Sequence, residues 1–466
     1  MCGFQTERLK QRYRVFFDDT TAHGLQNIAK EHISILKRII WIGIVFLMTT
    51  VSVLFITISV NDYLEFDTVT ITRQKLPKYA ELPTIMFCNF NTKRNQVMRD
   101  IYPDILEFEE EYFPLYSSHI SNTGNNTAWT DLQDRMRLRL QNISIHQYVM
   151  DNGLSMEDTF VSCANNIQNA LFNCFEYLLP FASWNGACYS FHSKEIIKRN
   201  GAIKEQDTGA LGGVSFVLNV APHDYTTATV NAGYGYYVYI YDSQQSVFDE
   251  SSPIALSLGT HTIIGIEKHR RTVLSTPYAD ESCRSDEDYS RLACKKSCYS
   301  GMMYNAMPNC TCTANLADEN GDCTLYDLYY CAYLSQSNVN KNKCHEMCPH
   351  QCTNTYYTTA ISTTNFPNED YINRAHSYDW QFKNKSDIHE NYVSVSIYFR
   401  SLTEMSTIEK PKMKASDLFA NIGGQLGLCI GASLITIVEF LELVWDTCAL
   451  IVTCRTKIDN NVILKQ

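Results

Sequence analysis

Residues 418–439 read LFANIGGQLGLCIGASLITIVE, and the fold turns on how this stretch is understood. It leads an apolar run from near Ile422 to about Val452, interrupted by Glu439, Glu442 and Asp446 and followed by Arg455 and Lys457. A charge at membrane depth costs at least ~2.5 kcal/mol on insertion scales, so such groups face water or a partner. On one continuous helix Asn421, Gln425, Ala432, Thr436 and Glu439 fall within about 60° of one another, a polar or small stripe down one face. Gly424, Gly427 and Gly431 fall on an adjacent face. Gly423, Gly427 and Gly431 also form two overlapping G-x-x-x-G spacings, which permit close approach of helices. Two readings compete. One is a dimerising anchor with its carboxylates at the cytosolic interface. The other is a pore helix, packed closely around an axis, whose polar stripe faces water and whose acidic ring draws cations. Gly431, Ala432 and Ser433 at mid-membrane favour the pore, because small residues expose backbone carbonyls that replace part of an ion's hydration shell.

A second apolar run lies upstream. Ile39 to Ile58 is IIWIGIVFLMTTVSVLFITI, twenty residues without a charge. At about 1.5 Å per residue it spans a hydrocarbon core of about 30 Å. It is too long and starts too late for a signal peptide. Arg8, Lys10, Arg12, Arg14, Lys30, Lys37 and Arg38 precede it, which places the amino terminus in the cytosol; Arg455 and Lys457 do the same for the carboxyl terminus. The expected plan is a multi-pass plasma-membrane protein. A cytosolic segment (1–38), a first span (39–59), an extracellular domain (60–415), a second span (416–452) and a cytosolic end (453–466) follow in order.

The middle segment carries its own compartment signal. Of 18 cysteines, fourteen lie between Cys88 and Cys352, an even number in one segment, as disulfides in an oxidising compartment require. The same segment holds four N-x-Ser/Thr sequons, at Asn125, Asn142, Asn309 and Asn384. The net charge of −11 argues against a nucleic-acid partner, which needs a concentrated basic face.

These residues resemble the degenerin/epithelial sodium channel family, along nearly the whole chain. Leu418 to Glu439 is similar to the family's pore helix, whose G-x-S triplet, here Gly431, Ala432 and Ser433, is the selectivity belt. Glu439 and Glu442 match acidic positions below the belt, and Ala420 matches the degenerin site, where a bulkier residue holds the pore open. Asn421, Gln425, Leu428 and Thr436 complete the expected pore lining. Asn421 departs from acid-sensing relatives, which have Asp there, and makes the outer vestibule less acidic. His23 and Gly24, in TTAHGL, match a His-Gly gating motif, and Leu82 to Asn91 (LPTIMFCNFN) resembles the opening ectodomain strand. The resemblance implies an α+β membrane protein with two transmembrane helices and a disulfide-rich ectodomain on a palm, ball, finger and thumb plan. It implies a trimer of identical or sister subunits, a preference for sodium over potassium, and pore block by amiloride. No cofactor is implied; sodium is the permeant ion.

Ten cysteines between Cys283 and Cys352 cannot be paired from sequence alone. The resemblance implies a ladder in a two-helix thumb (about 277–360): Cys283–Cys352, Cys294–Cys348, Cys298–Cys344, Cys310–Cys331 and Cys312–Cys323. It implies Cys88–Cys188 and Cys163–Cys174 as well. Tyr278, in STPYADESC, sits where the family uses an aromatic loop to press the thumb on the first span. Val214–Val220, Tyr234–Tyr241 and Tyr392–Phe399 are β-branched and aromatic and read as strands. Asp131–Asn142, Met156–Leu178 and the thumb read as helical. His345, Glu346 and His350 have the spacing H-E-x-x-x-H, one residue too long to put both histidines on one helix face, which argues against a catalytic zinc.

The stimulus is the least legible feature. The segment DYLEFDTVTITRQ after the first span lacks the His pair of acid-sensing relatives. The short cytosolic ends look like those of compact neuropeptide-gated members, and an acidic ectodomain suits a basic, amidated peptide. Proton gating or constitutive opening are the alternatives within the family. Outside it, an ATP-gated receptor needs a phosphate-binding basic cluster, which Lys268, His269, Arg270 and Arg271 only approach. A two-span adhesion glycoprotein leaves Gly431–Ser433 and Glu439 unexplained, and no catalytic constellation supports an ectoenzyme.

Overall fold

The computed structural model describes residues 2–30, 33–107, 109, 127–165, 174–183, 185–209, 212–226, 233–245, 252–286, 289–305, 323–327, 341–377 and 385–463. They divide into two compact units, Met1–Val69 with Glu409–Gln466, and Thr70–Ile408.

The first unit is helical. An amino-terminal helix (Cys2–Asp19), a short helix (Leu25–Ala29) and a 30-residue helix (Ile35–Leu64) come from one end of the chain. Ile35–Leu64 reaches a mean hydropathy of 2.6, and Phe46 and Leu47 leave 74% and 61% of their surfaces exposed. A helix that is apolar and outward-facing in this way is built for lipid rather than for a protein core. The other end supplies a leading half-helix (Ala415–Ile430) and a trailing half-helix (Leu434–Ile463). They meet at an angle of 76° and together have the length and composition of a broken span or a re-entrant loop. This corrects the expectation of one continuous helix through 422–452. Gly431 adopts φ 67°, ψ 13°, a left-handed conformation that ends the leading half-helix, with its N–H on the Gly427 carbonyl at 3.0 Å. Glycine takes that conformation without the Cβ penalty other residues meet. The helix restarts at Ser433, whose hydroxyl accepts from the Thr436 N–H at 3.4 Å, an amino-terminal cap. The single polar stripe drawn from Asn421 to Glu439 therefore does not exist as one face.

The second unit is an α+β body built on two main sheets, with two further two-stranded pairs. Its larger sheet runs in the order Thr68–Lys75, Glu404–Pro411, Thr260–Thr272, Tyr392–Phe399, Val214–Asn219 and Phe160–Asn165, with Thr353–Asn365 also paired to Thr260–Thr272. Tyr392–Phe399 lies between Thr260–Thr272, to which it runs parallel, and Val214–Asn219, to which it runs antiparallel. That central place explains the buried Val393, Val395, Ile397 and Phe399. The smaller sheet is antiparallel: Ile254–Ser257, Gly235–Tyr241, Thr84–Asn89, Gly186–Phe191 and Leu178–Ser183. One core joins both sheets around Phe87, Phe160, Phe191 and Phe216, whose rings pack edge to face at 4.9 Å (Phe87–Phe216) and 5.2 Å (Phe191–Phe216).

Met156–Leu178 is not a helix. Among the described residues, Met156–Thr159 is α-helical, Phe160–Asn165 crosses into the larger sheet, and Cys174–Tyr177 forms a single 3-10 turn. Phe160 is 3% exposed within the aromatic core, so long-range burial overrides its local helical neighbours.

Four disulfides are defined. Cys88 and Cys188 face one another across adjacent strands with Cα atoms 4.4 Å apart, the close spacing of a non-hydrogen-bonded antiparallel pair. Cys294–Cys348 and Cys298–Cys344 staple the helix Arg291–Asn305 to Lys341–Met347 and the residue after it, and Cys283–Cys352 ties the short strand Cys283–Arg284 to the end of its partner strand His350–Gln351. Cys163 and Cys323 are also disulfide-bonded. Cys310, Cys312, Cys331 and the Cys174 side chain lie outside the described residues, as do Asn125, Asn309 and Asn384. Asn142 is exposed in the turn after the helix Thr127–Leu140. In the thumb, His345 lies 3.2 Å from Arg291 Nη2 and 3.0 Å from Lys295 Nζ, and Arg291 also meets His350. Cations against both imidazoles oppose a metal ion there.

Candidate functional site

The candidate site lies in the first unit, at the break between the half-helices. Gly431, Ala432 and Ser433 form the link itself. Thr436, 2% exposed, sits in the first turn of the trailing half-helix, and its Oγ1 accepts from the Ser433 N–H at 2.9 Å. Glu439 follows one turn later, half-buried, while Glu442 is exposed. On the leading half-helix Ala420, Asn421 and Leu428 are exposed, Leu428 by 87%. Gln425 turns instead toward the first span, where its Nε2 donates to Ser59 Oγ at 2.9 Å. Such a bond between apolar helices spares both polar groups from lipid. A Cβ at Gly423 or Gly424 would meet nothing within 4 Å, so this glycine face is open in the single chain.

The amino-terminal segment reaches the same place. His23 donates its N–H to the Ile430 carbonyl at 2.9 Å, satisfying one of the carbonyls that the end of the leading half-helix leaves unpaired. A Cβ on Gly431 would overlap the His23 ring, so the glycine is required by close approach as well as by its backbone. Gly24 has φ 89°, and a Cβ there would lie 2.7 Å from Val45 Cγ2 and 3.7 Å from Trp41. The pair His23–Gly24 is thus wedged between the first span and the break. Thr20 and Thr21 bind Glu439: Thr20 Oγ1 and the Thr21 N–H each donate to its Oε2 at 3.1 Å. Further along, Phe16 packs edge to face on Phe440 at 4.9 Å, and Arg12 pairs with Asp446 at 3.2 Å. Sequence reasoning missed Thr20, Thr21, Ser59 and the Arg12–Asp446 pair. Thr20 and Thr21, separated from His-Gly by Ala22, were the available signal, but nothing in hydropathy ties residue 21 to residue 439.

The family model for the amiloride-sensitive sodium channel matches residues 16–443, from Phe16 through the leading half-helix and into the first turns of the trailing one. The chain belongs to the amiloride-sensitive sodium channel family. The rat (Rattus norvegicus) bile acid-sensitive ion channel is 25% identical, over 93% of this chain and 87% of that protein. Acid-sensing ion channel 1A of Danio rerio is 22% identical, over 93% of this chain and 87% of that protein. Human (Homo sapiens) acid-sensing ion channel 2 is 23% identical, over 93% and 86%. The chain is therefore an ion channel of this family and not an enzyme, and family members are plasma-membrane channels.

Tyr278 belongs to the other unit. It lies in a turn after the strand Thr260–Thr272, with its N–H on the Ser275 carbonyl at 3.1 Å. Two titratable groups there are fully buried. His192 takes the Ile203 N–H on Nε2 at 2.8 Å, and burial pushes its pKa down. Glu205 takes the Gly213 N–H on Oε2 at 3.3 Å, and burial pushes its carboxyl up.

Proposed function

We propose that three copies of this chain, or this chain with sister subunits, enclose a sodium-selective pore that amiloride blocks and whose narrowest part is Gly431, Ala432 and Ser433. The observation that carries the reading is the break itself. The helical ladder is interrupted at Gly431 and Ala432, while the Ser433 carbonyl already takes the Ile437 N–H at 3.3 Å; backbone carbonyls exposed at such a break substitute for water around a cation. Asn421 and Leu428 line the approach. Glu439 and Glu442 supply the negative charge beyond the filter. Gln425, expected in the lining, is better placed as a bond to Ser59. His23 and Gly24 brace the break from one side, and Ala420 and Tyr278 belong to the gate. Both termini are cytosolic and residues of about 60–415 are extracellular.

The opening stimulus we assign to an extracellular, basic, amidated neuropeptide, on the acidic charge of the chain. Acid is the second reading. It is supported by the names of the acid-sensing relatives and by the buried His192 and Glu205, whose charge states change with pH. Voltage clamp of cells expressing the chain decides. Amidated peptides are expected to evoke an inward, amiloride-blocked sodium current. A response to acid steps alone selects the second reading. Surface-expressed protein that stays silent with and without sister subunits refutes the channel.

A further inference from the structure

Asn421, Gln425 and Leu428 stand at i, i+4 and i+7 of the leading half-helix and so share one face within about 60°. Asn421 and Leu428 are exposed on that face, but Gln425 between them is half-buried. Its side chain is drawn back to the first span, where Nε2 donates to Ser59 Oγ at 2.9 Å. Ser59 is 7% exposed, so the bond competes little with water. The other end of the same amide is left over: Gln425 Oε1 is buried and has no partner among the described residues. A buried carbonyl oxygen without a donor offsets much of what the bond contributes. Turned outward between Asn421 and Leu428, both ends of the amide would meet water. The two positions are therefore close in free energy, as a switch requires. The tied-back position also leaves this face less polar. Leu428 dominates it, and an apolar face lining a narrow passage expels water and stops ions.

We propose that Gln425 is a positioning residue with two seats. Tied to Ser59, it holds the leading half-helix against the first span and keeps its amide out of the pore approach; released, it joins Asn421 and Leu428 in the lining and wets it. The proposal rests on the channel reading above. The tied seat favours the non-conducting state, and opening parts the half-helix from the first span at this level so that the amide changes seats. Ser59 is suited to the part by its place. It shares one face of the first span with Val45 and Ser52, at intervals of seven residues or about two turns. Ser52 is 1% exposed and its hydroxyl has no partner among the described residues, so only the level of Ser59 engages the amide. A single neutral hydrogen bond between apolar helices is directional enough to fix one rotation of the half-helix and weak enough to exchange.

Unstimulated sodium current of the full chain, divided by surface protein, tests this. Ser59→Ala releases the amide and is expected to raise the current severalfold, whereas Ser59→Thr keeps the hydroxyl and is expected to behave as the parent. Gln425→Leu breaks the same bond but brings no amide to the approach. It is expected not to raise the current, and Ser59→Ala is expected to add nothing in its presence. A merely structural tie predicts a rise with either change. A rise with Gln425→Leu, or none with Ser59→Ala at the surface, overturns the two-seat proposal. Should Ser59→Ala fail to reach the surface, the melting temperature of the detergent-purified chain replaces current. Ser59→Ala combined with Gln425→Leu is then expected to melt no lower than the more affected single variant, and additive shifts overturn the bond. Ser52→Ala is expected to add independently to Gln425→Leu, and coupling there instead overturns Ser59 as the partner. Melting is read without current, so a parent chain silent under every stimulus refutes the channel reading alone.

Discussion

Replacing Gly24 by alanine perturbs the wedge between the first span and the break in two separable ways. An L-residue at φ 89° sits in the left-handed region, at a cost of roughly 1–2 kcal/mol. The new Cβ would also stand 2.7 Å from Val45 Cγ2, well inside ordinary carbon contact. Overpacking of that kind costs about 1–3 kcal/mol. Together they amount to about 2–5 kcal/mol, which shifts the seated segment toward its displaced state by roughly 30-fold or more. Displacement withdraws His23 from the Ile430 carbonyl and the Gly431 backbone, so current per surface channel is expected to fall by at least an order of magnitude. Val45→Ala removes the overlap and leaves the backbone strain, so the double variant should recover part of the current but remain roughly 5–30-fold impaired. The assay is voltage clamp normalised to surface biotinylation. A Gly24→Ala channel with undiminished current refutes the argument. Complete rescue by Val45→Ala would show that only the overlap matters and that the backbone strain is absorbed.

Ser433, which donates its N–H to Thr436, is expected to report on the filter: a bulkier side chain should change the sodium-to-potassium ratio, and an unchanged reversal potential removes it from the filter. Serine pairs in place of Cys294–Cys348 and Cys298–Cys344 should each lower ectodomain stability by about 2–4 kcal/mol, read as a lower melting temperature, and slow activation if the thumb acts as a stiff lever. His192 gives a pH prediction with a definite sign. Its pKa is lowered from 6.5 by burial, so below 6.5 the unfolded chain binds the extra proton first. Its contribution to stability is present above 6.5 and is lost as pH falls through the lower folded value, whereas the raised Glu205 works in the opposite sense as pH rises. His192→Gln should flatten the decline in melting temperature on acidification; an unaltered pH dependence counts against the buried neutral imidazole.

The sequence by itself determined the features that depend on local pattern. Hydropathy located Ile39–Ile58 inside the helix Ile35–Leu64, because lipid demands an uninterrupted apolar surface whatever the rest of the chain does. Period-two and β-branched runs located Val214–Asn219, Gly235–Tyr241 and Tyr392–Phe399. The motif Gly-Ala-Ser stood out because small residues among large apolar ones are conspicuous. Tertiary structure alone decided the rest. A helical wheel carried the stripe through Gly431, but the chain turns by 76° there, since a left-handed glycine braced by His23 replaces a helical one. Phe160 left its helical neighbours for the aromatic core between two sheets. Thr20 and Thr21 acquired meaning only when folding carried them across more than four hundred residues to Glu439. Spacing in sequence encodes neighbours within one element; contacts between distant segments follow from which buried surfaces and unpaired polar groups find one another, and no local pattern records that outcome.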